Sequence, residues 1–173
     1  MKIIPLSEGS FTVDGTKKFI PFNPEKDDLK SRPPGSLLVE VQPFAVITSK
    51  DVIVLDTGLG FSNPDGTLQL HANLMEAGVN PLDVTKVLMS HLHKDHAGGV
   101  SKEDAILHKR FISFPNATYI VNKQELEIAV SKLSKSYQID DVGLLTETDK
   151  VQLVESEGII DDYITYAWTG GHS

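Results

Sequence analysis

Three histidines and an aspartate fall within six residues of the sequence, from His91 to His96, directly after an apolar run. Neutral imidazole and carboxylate groups are the nitrogen and oxygen ligands that Zn²⁺ accepts, and they also suit iron or manganese. The apolar run, residues 84–89, is typical of a buried strand. Because open α/β sheets bind ligands at the carboxyl ends of their strands, this stretch predicts a metal site at a strand end.

The spacing of these side chains divides them into two groups. Side chains two apart in extended backbone point the same way, so His91 and His93 can face one ion. Asp95 and His96 follow, and Gly98-Gly99 indicates a turn that would aim them at a neighbouring position. The alternative is a polar surface loop, or one core histidine with chance neighbours. That alternative accounts less well for so many potential ligands in so short a stretch.

The pattern His-x-His-x-Asp-His-x-Gly-Gly after an apolar strand resembles the signature of the metallo-β-lactamase fold hydrolases. Residues 52–58, an apolar strand ending in Asp-Thr-Gly, are similar to a second segment of that family. Residues 169–173, Thr-Gly-Gly-His-Ser, resemble its Thr-Pro-Gly-His-Ser loop, with Gly170 in place of proline. The three segments follow the family's order, and the resemblance extends from about Leu37 to the end of the sequence.

The resemblance implies an α/β fold, a four-layer αβ/βα sandwich of two mixed sheets flanked by helices. It also implies that His172 joins His91 and His93 as the third nitrogen ligand of a first ion. Asp95 and His96 would then supply part of a second site. Two zinc ions are expected in the complete protein, with iron or manganese as possible substitutes.

The family's fold is built from two similar halves, and the third histidine loop lies at the end of this sequence. We therefore expect residues 1–173 to form a single metallo-β-lactamase-like domain, incomplete at its C-terminus. Only the first half and the beginning of the second would be present. A sheet face left uncovered predicts association with a missing C-terminal half or as a homo-oligomer. A further bridging aspartate and a last histidine are expected outside this sequence.

Asp56 also follows an apolar strand, so we expect it at the same edge of the sheet as the histidines. It would accept a hydrogen bond from a ligand imidazole or from the histidine loop, which fixes the orientation of the ring. A compatible alternative is that it caps its own loop through a bond to Gly58. The resemblance favours a structural role near the metals over direct ligation.

A zinc ion that is held by three nitrogen ligands and carries a water molecule in its fourth position lowers the pKa of that water from 15.7 to about 7. The resulting hydroxide, shared between two ions, would attack an ester, amide, thioester or phosphoryl centre. Asp95 is the predicted catalytic residue, as a ligand first and as a hydrogen-bond acceptor for the hydroxide second.

The histidine motif, together with residues 114–117, looks most like the lactonase-like branch of the family. The leading prediction is therefore a metal-dependent hydrolase that acts on a lactone or another small ester. Thioester hydrolysis of the glyoxalase II type and phosphodiester cleavage remain open. A non-catalytic metal-binding or scaffold role is the alternative from another class.

The formal net charge of −8 over 173 residues argues against a nucleic-acid-binding surface, so the expected partner is a small-molecule substrate. No apolar run reaches the roughly 18 residues of a membrane span, and the N-terminus lacks the apolar region of a signal peptide. A cytoplasmic location is the default expectation. The absence of cysteine excludes disulfides and thiolate ligands within these residues.

Local patterns predict the elements that carry the site. Asp14-Gly15 favours a hairpin, and residues 101–110 are expected to be helical or irregular. His71, on the edge of a predicted helix, and His108 are expected to lie outside the metal site. Strands are predicted at residues 37–41, 45–48, 52–55, 117–121, 151–154 and 164–168, and helices at 67–77 and after Asn122, the latter burying Leu126, Ala129, Val130 and Leu133.

Overall fold

A computed structural model of the protein describes residues 1–104, 106–131 and 134–172, which form an α/β fold with several sheets. The predicted fold class is thereby confirmed. The strands are β1 (Lys2–Pro5), β2 (Gly9–Val13), β3 (Phe19–Phe22), β4 (Leu37–Val41), β5 (Phe44–Ile47), β6 (Val52–Leu55), β7 (Lys86–Leu88), β8 (Ser101–Asp104), β9 (Lys109–Ile112), β10 (Thr118–Asn122), β11 (Val151–Val154), β12 (Glu157–Ile160) and β13 (Ile164–Ala167). The α-helices are α1 (Gln69–Glu76), α2 (Lys94–Ala97), α3 (Lys123–Ser131) and α4 (Ile139–Glu147), and short 3₁₀ helices cover Leu29–Ser31, Pro81–Asp83 and Gly98–Val100.

The central sheet has six strands in the order β1-β5-β6-β7-β10-β11. Strands β6, β7, β10 and β11 are parallel neighbours, whereas β1, β5 and β6 are antiparallel. The carboxyl ends of the four parallel strands therefore meet at one edge. Asp56 follows β6 at this edge, and the histidine loop begins just after β7. The sheet thus brings two sequence-distant segments together, as the strand-end argument predicts.

A second sheet of three strands, β3-β2-β4, lies at the N-terminal end of the chain. The predicted hairpin at Asp14-Gly15 is confirmed, because β2 and β3 pair antiparallel with Val13 opposite Phe19. Asp14 Oδ1 accepts the Thr16 N–H at 2.8 Å and so closes the turn. A further antiparallel hairpin, β12–β13, follows β11.

The main core lies between the central sheet and the helices. Leu70 and Leu74 of α1 are fully buried, and they belong to one apolar cluster with Val54 of β6 and Val87 of β7. His71 lies outside the histidine cluster, as expected, but it is buried and not at the edge of the helix: its ring centroid is 4.9 Å from that of Phe114. The buried face of α1 is thus wider than its leucine pattern indicates. Burial lowers the pKa of His71 to about 4, so the ring is neutral.

The prediction that residues 101–110 are helical or irregular is wrong, because the segment contributes to the antiparallel hairpin β8–β9. Asp104 Oδ1 accepts the N–H groups of Ile106 and Leu107 at 2.9 and 2.8 Å, and His108 has a φ of 49° in the turn. The hairpin is held to α4 by Asp141, which pairs with Arg110 and accepts from Ser101 Oγ at 2.5 Å. These bonds to a distant helix override the weak local pattern.

Asn122 caps α3 as predicted, because its Oδ1 accepts the Glu125 N–H at 3.1 Å. Leu126 and Ala129 are buried as expected, but Val130 is 41% exposed and was wrongly placed in the buried stripe. Leu133, the last member of that stripe, lies outside the described residues.

Within the described part of the chain, no helix is both long and apolar enough to cross a membrane. The cytoplasmic location stays a prediction.

Candidate metal centre

The structure brings His91, His93 and His172 together, with one potential ligand atom from each lying within 4.8 Å of the others. His91 lies in the loop after β7, and His93 is the N-cap of α2. His172 comes from the loop after β13, and its ring centroid lies 4.8 Å from that of His91 and 5.1 Å from that of His93. The family resemblance implied this grouping, although His172 lies about eighty residues after the other two histidines.

The loop that carries His172 turns on two glycines. Gly170 and Gly171 have φ angles of 66° and 90°, in the left-handed region that favours glycine. Proline, which the related family pattern has at the first of these positions, is locked near −65° and does not fit this conformation. With glycine in place of proline, the backbone before His172 adopts a left-handed conformation that proline could not adopt.

The hydrogen bonds around His91 leave one of its ring nitrogens unpartnered. Ser90 Oγ donates to Asp56 Oδ2 at 2.7 Å, so it accepts from His91 Nδ1–H at 3.1 Å. The lone pair of His91 is therefore on Nε2, which is buried and has no hydrogen-bond partner. A buried acceptor left without a partner is costly, and a metal ion among three imidazoles would satisfy it. The donor set thus fits a divalent transition metal.

The electrostatic environment favours the neutral form of His91 and His93. Burial, followed by the nearby His96 and His93 rings, lowers the pKa of His91 to about 4. Burial and the His172 ring also lower the pKa of His93. A neutral imidazole is the form that binds a metal, so little proton release has to accompany ligation near neutral pH.

Asp95 and His96 form a pair beside the three histidines. Asp95 Oδ2 lies 3.7 Å from His96 Nε2, and the ring centroids of His91 and His96 are 4.1 Å apart. Both residues lie on α2, a single helical turn that begins directly after His93, so the backbone changes direction here as Gly98-Gly99 indicated. Their placement is compatible with a second ion adjacent to the first.

Asp56 contacts both the start of the histidine loop, at Ser90, and His96. Its Oδ1 accepts the Ser90 N–H at 2.7 Å, and its Oδ2 contacts His96 Nδ1 at 2.8 Å. Burial lowers the pKa of His96, but the hydrogen bond and charge of Asp56, together with the charge of Asp95, outweigh it and raise that pKa overall. With Nδ1 protonated toward Asp56, His96 presents Nε2 to the site. Between these described residues the alternative cap on Gly58 is not formed.

Glycines allow close backbone contacts between the loop after β6 and the end of the histidine loop. Thr57 N–H donates to His96 O at 2.6 Å, and Gly98 N–H donates to Gly58 O at 2.9 Å. A Cβ on Gly60 would lie 2.1 Å from Gly98 O, so only glycine fits there. These contacts fix α2, and with it Asp95 and His96, against the loop after β6.

Two buried glutamates support the site and were not predicted in this role. Glu125 Oε1 accepts the Leu92 N–H at 2.9 Å, which anchors the histidine loop to α3. Glu8 Oε2 accepts the Leu59 N–H at 2.6 Å, and burial raises the pKa of Glu8 to about 7. From the sequence alone, Glu125 is predicted only to lie in the first turn of the helix after Asn122. It offered no signal for Glu8, whose partner is 51 residues away.

A cleft of about 520 Å³ opens beside the histidines, within the usual size of small-molecule sites. Leu88, Ile120 and Val154 contribute an apolar floor, and Trp168 forms part of the wall next to His172. The cleft therefore presents an apolar surface next to the imidazole groups.

We expect Asp56→Asn to weaken metal binding about 10- to 100-fold, the usual effect of removing a hydrogen-bond partner of a ligand. Asparagine tolerates the φ of 59° at this position and retains one acceptor oxygen, but its NH₂ group cannot accept from Ser90 Oγ–H or His96 Nδ1–H. Zinc affinity is measured by competition with a chromophoric chelator. Asp65→Asn, at an exposed turn whose Oδ1 accepts the Thr67 N–H, is the control and should keep the parent affinity. Equal affinities in all three proteins would refute this role of Asp56.

Comparison with known proteins matches most of the chain to one family model. The model described as "Metallo-beta-lactamase superfamily" matches residues 38–166. N-acyl homoserine lactonase AttM of Azorhizobium caulinodans is 40% identical over 58 residues, which are 34% of this chain and 18% of that protein. The AttM lactonase of Agrobacterium fabrum is 42% identical over 52 residues, 30% of this chain and 16% of that protein.

Solved structures show the same fold. A probable metal-dependent hydrolase from Staphylococcus aureus has a TM-score of 0.75 at 22% identity, over 99% of this chain and 65% of that one. AidC, a dizinc quorum-quenching lactonase, has a TM-score of 0.61 at 20% identity, over 92% of this chain and 60% of that one. At such identities the likeness concerns the fold alone, and the chain spans less than two thirds of each of these proteins.

Proposed function

The chain belongs to the metallo-beta-lactamase superfamily, and from this premise we propose that it is a metal-dependent hydrolase of small esters or lactones. The observation that carries the proposal is the buried, unpartnered Nε2 of His91, grouped with ligand atoms of His93 and His172. We assign these three histidines to a first zinc ion, and Asp95 and His96 to a second.

A metal ion bound there supplies a Lewis acid for the scissile oxygen and a water whose pKa falls to about 7. The chain's own residues orient the reaction. Ser90 and Asp56 hold His91 and His96 in one tautomer each. Asp95 Oδ2 lies 3.7 Å from His96 Nε2, and we assign to it the role of accepting a hydrogen bond from the attacking water. In this role Asp95 is the catalytic residue, because it touches the reacting oxygen.

The proposed substrate class rests on the cleft and on the relatives. An apolar floor beside the histidines suits the aliphatic part of an ester better than a highly charged phosphodiester. The AttM relatives are named N-acyl homoserine lactonases, and the similar structure AidC is named a lactonase. We therefore place lactones ahead of thioesters and phosphodiesters as substrates.

Hydrolysis of a panel of substrates by the zinc-loaded protein tests the proposal. We expect the protein to open the ring of an N-acyl lactone, which is measured through the acid released into a weakly buffered indicator solution. This activity should be lost when a chelator is added. Asp95→Asn should lower the rate about 100-fold or more, in the range of a lost general base, with little change in the thermal unfolding midpoint. Turnover of only a thioester or a phosphodiester would reassign the substrate, and metal binding without any turnover would favour a non-catalytic role.

A further inference from the structure

The hairpin β12–β13 delivers His172 to the metal centre. Its strands pair from Glu157 opposite Ala167 to Ile160 opposite Ile164. At the end nearest the site, Trp168 N–H donates to Ser156 O at 2.6 Å. His172 follows Trp168 by only four residues, so the position of this hairpin limits where the imidazole can lie.

The hairpin is built as a stiff unit. Tyr166 packs over Gly158 on the facing strand, where a Cβ would lie 2.5 Å from the tyrosine hydroxyl. Asp161 and Asp162 have φ angles of 48° and 63°, and they begin the three-residue turn, residues 161–163, between the paired Ile160 and Ile164. Ile160 is only 2% exposed, so the hairpin also has a buried side. The pairing and the buried side therefore relate the position of the turn to that of the loop that follows β13.

Four side chains hold the turn of this hairpin to the central sheet, and we call them the tip cluster: Asp51, Lys86, Asp161 and Tyr163. Lys86 Nζ lies 2.6 Å from Asp51 Oδ1 and 2.8 Å from Asp161 Oδ2. Tyr163 OH donates to Asp51 Oδ2, which joins the third residue of the turn to the same carboxylate. Thr85 Oγ1 also donates to Asp51 Oδ1, at 2.7 Å.

The tip cluster lies at the edge of the sheet opposite the metal centre. Asp51 directly precedes β6 and Lys86 begins β7, so both mark the amino ends of strands whose carboxyl ends carry the candidate site. The side chains of Lys86 and Asp51 are only 11% and 9% exposed. Solvent therefore screens this pair less than an ordinary surface ion pair, and its geometry is held by several hydrogen bonds.

We propose that the tip cluster is a positioning element of the metal centre: it fixes the far end of hairpin β12–β13 and thereby holds His172 against His91 and His93. The proposal rests on the metal site assigned under the proposed function. A network of this kind contributes little to the active-site chemistry itself, since none of its members touches the histidines. Its effect is on the third ligand alone.

Tyr163→Phe and Asp161→Asn test the proposal. Tyr163→Phe removes the hydrogen bond to Asp51, Asp161→Asn removes the negative charge that pairs with Lys86, and both leave the backbone unaltered. Asparagine also tolerates the left-handed φ of Asp161. We expect zinc affinity, measured by competition with a chromophoric chelator, to fall about three- to tenfold, less than for a direct partner of a ligand. The visible spectrum of the Co²⁺-substituted protein should weaken, as expected when one of three nitrogen ligands is displaced.

Tyr119→Phe is the matched control, since it also removes one tyrosine hydroxyl. That hydroxyl accepts the Phe114 N–H at 3.1 Å in the core, so its loss should lower stability and leave zinc affinity unchanged. If Tyr119→Phe lowers zinc affinity as much as Tyr163→Phe, the effect is general destabilisation and the proposal is overturned.

His172→Ala separates this inference from the proposed function. It should lower zinc affinity more than either variant of the tip cluster. If His172→Ala binds zinc like the parent, the assigned metal site itself is wrong. If His172→Ala loses zinc while Tyr163→Phe and Asp161→Asn keep the parent affinity and Co²⁺ spectrum, only the positioning role of the tip cluster is overturned.

Discussion

Replacing His91 with alanine should lower the zinc affinity of the protein by more than 100-fold and leave less than one equivalent of metal after dialysis. This loss exceeds the 10- to 100-fold effect of outer hydrogen-bond partners, because His91 would be a ligand itself. It lies at the centre of the site, with ring centroids 4.6 Å from His93, 4.1 Å from His96 and 4.8 Å from His172. Elemental analysis and chelator competition measure the change.

His108→Asn is the control for His91→Ala. His108 lies in the β8–β9 turn with a φ of 49°, which asparagine tolerates, and its side chain is 80% exposed. This variant should retain the metal content of the parent. Metal content unaffected by His91→Ala would show that the ion, if bound, is held elsewhere, and the assignment of the histidine cluster would have to be abandoned.

The candidate site was predictable where ligand chemistry is dense in the sequence. His91, His93, Asp95 and His96 lie within one short loop and helix, so strand and turn geometry alone predicts that they share a site. His172 was placed by resemblance and not by spacing, and the fold brings it to the same point. Asp56 was predicted from the rule that parallel strands end at one edge.

The supporting contacts were not predictable, because they join residues that the sequence separates widely. Glu8 binds Leu59 across 51 residues, and Glu125 binds Leu92 across 33. Each is a single buried carboxylate in an otherwise ordinary local pattern. Nothing in such a pattern distinguishes a glutamate that anchors a backbone N–H from one that faces solvent.

The elements of the fold likewise divide into those that the sequence predicts and those that it does not. Strands β4, β5 and β6 were predicted because each is a short apolar run between turn signals. Hairpin β8–β9 was missed because Lys102, Glu103, Lys109 and Arg110 obscure any alternation in its sequence. What holds it is the buried Asp141 of α4, a helix that was not predicted either. A tertiary contact of this kind overrides the local secondary-structure propensity.

Gly98→Ala should destabilise the protein by about 3 kcal/mol or more, at the upper end of the cost of overpacking a core. Gly98 has a φ of −62°, which alanine adopts freely, so the cost is purely steric. A Cβ there would lie 2.3 Å from Leu59 O and 2.5 Å from Leu59 C, both of them backbone atoms that cannot rotate away. The midpoint of denaturant unfolding, at constant slope, measures the change.

Gly143→Ala in α4 provides the matched control, because a Cβ there meets no atom within 4 Å. In a helix interior this change should stabilise by about 0.5–1 kcal/mol, so the two alanines are expected to shift the midpoint in opposite directions. Gly98→Ala should also lower zinc affinity, since relieving the clash moves α2 and with it Asp95 and His96. An unchanged midpoint for Gly98→Ala would mean that the two loops do not pack backbone against backbone. The placement of α2 against the loop after β6 would then have to be revised.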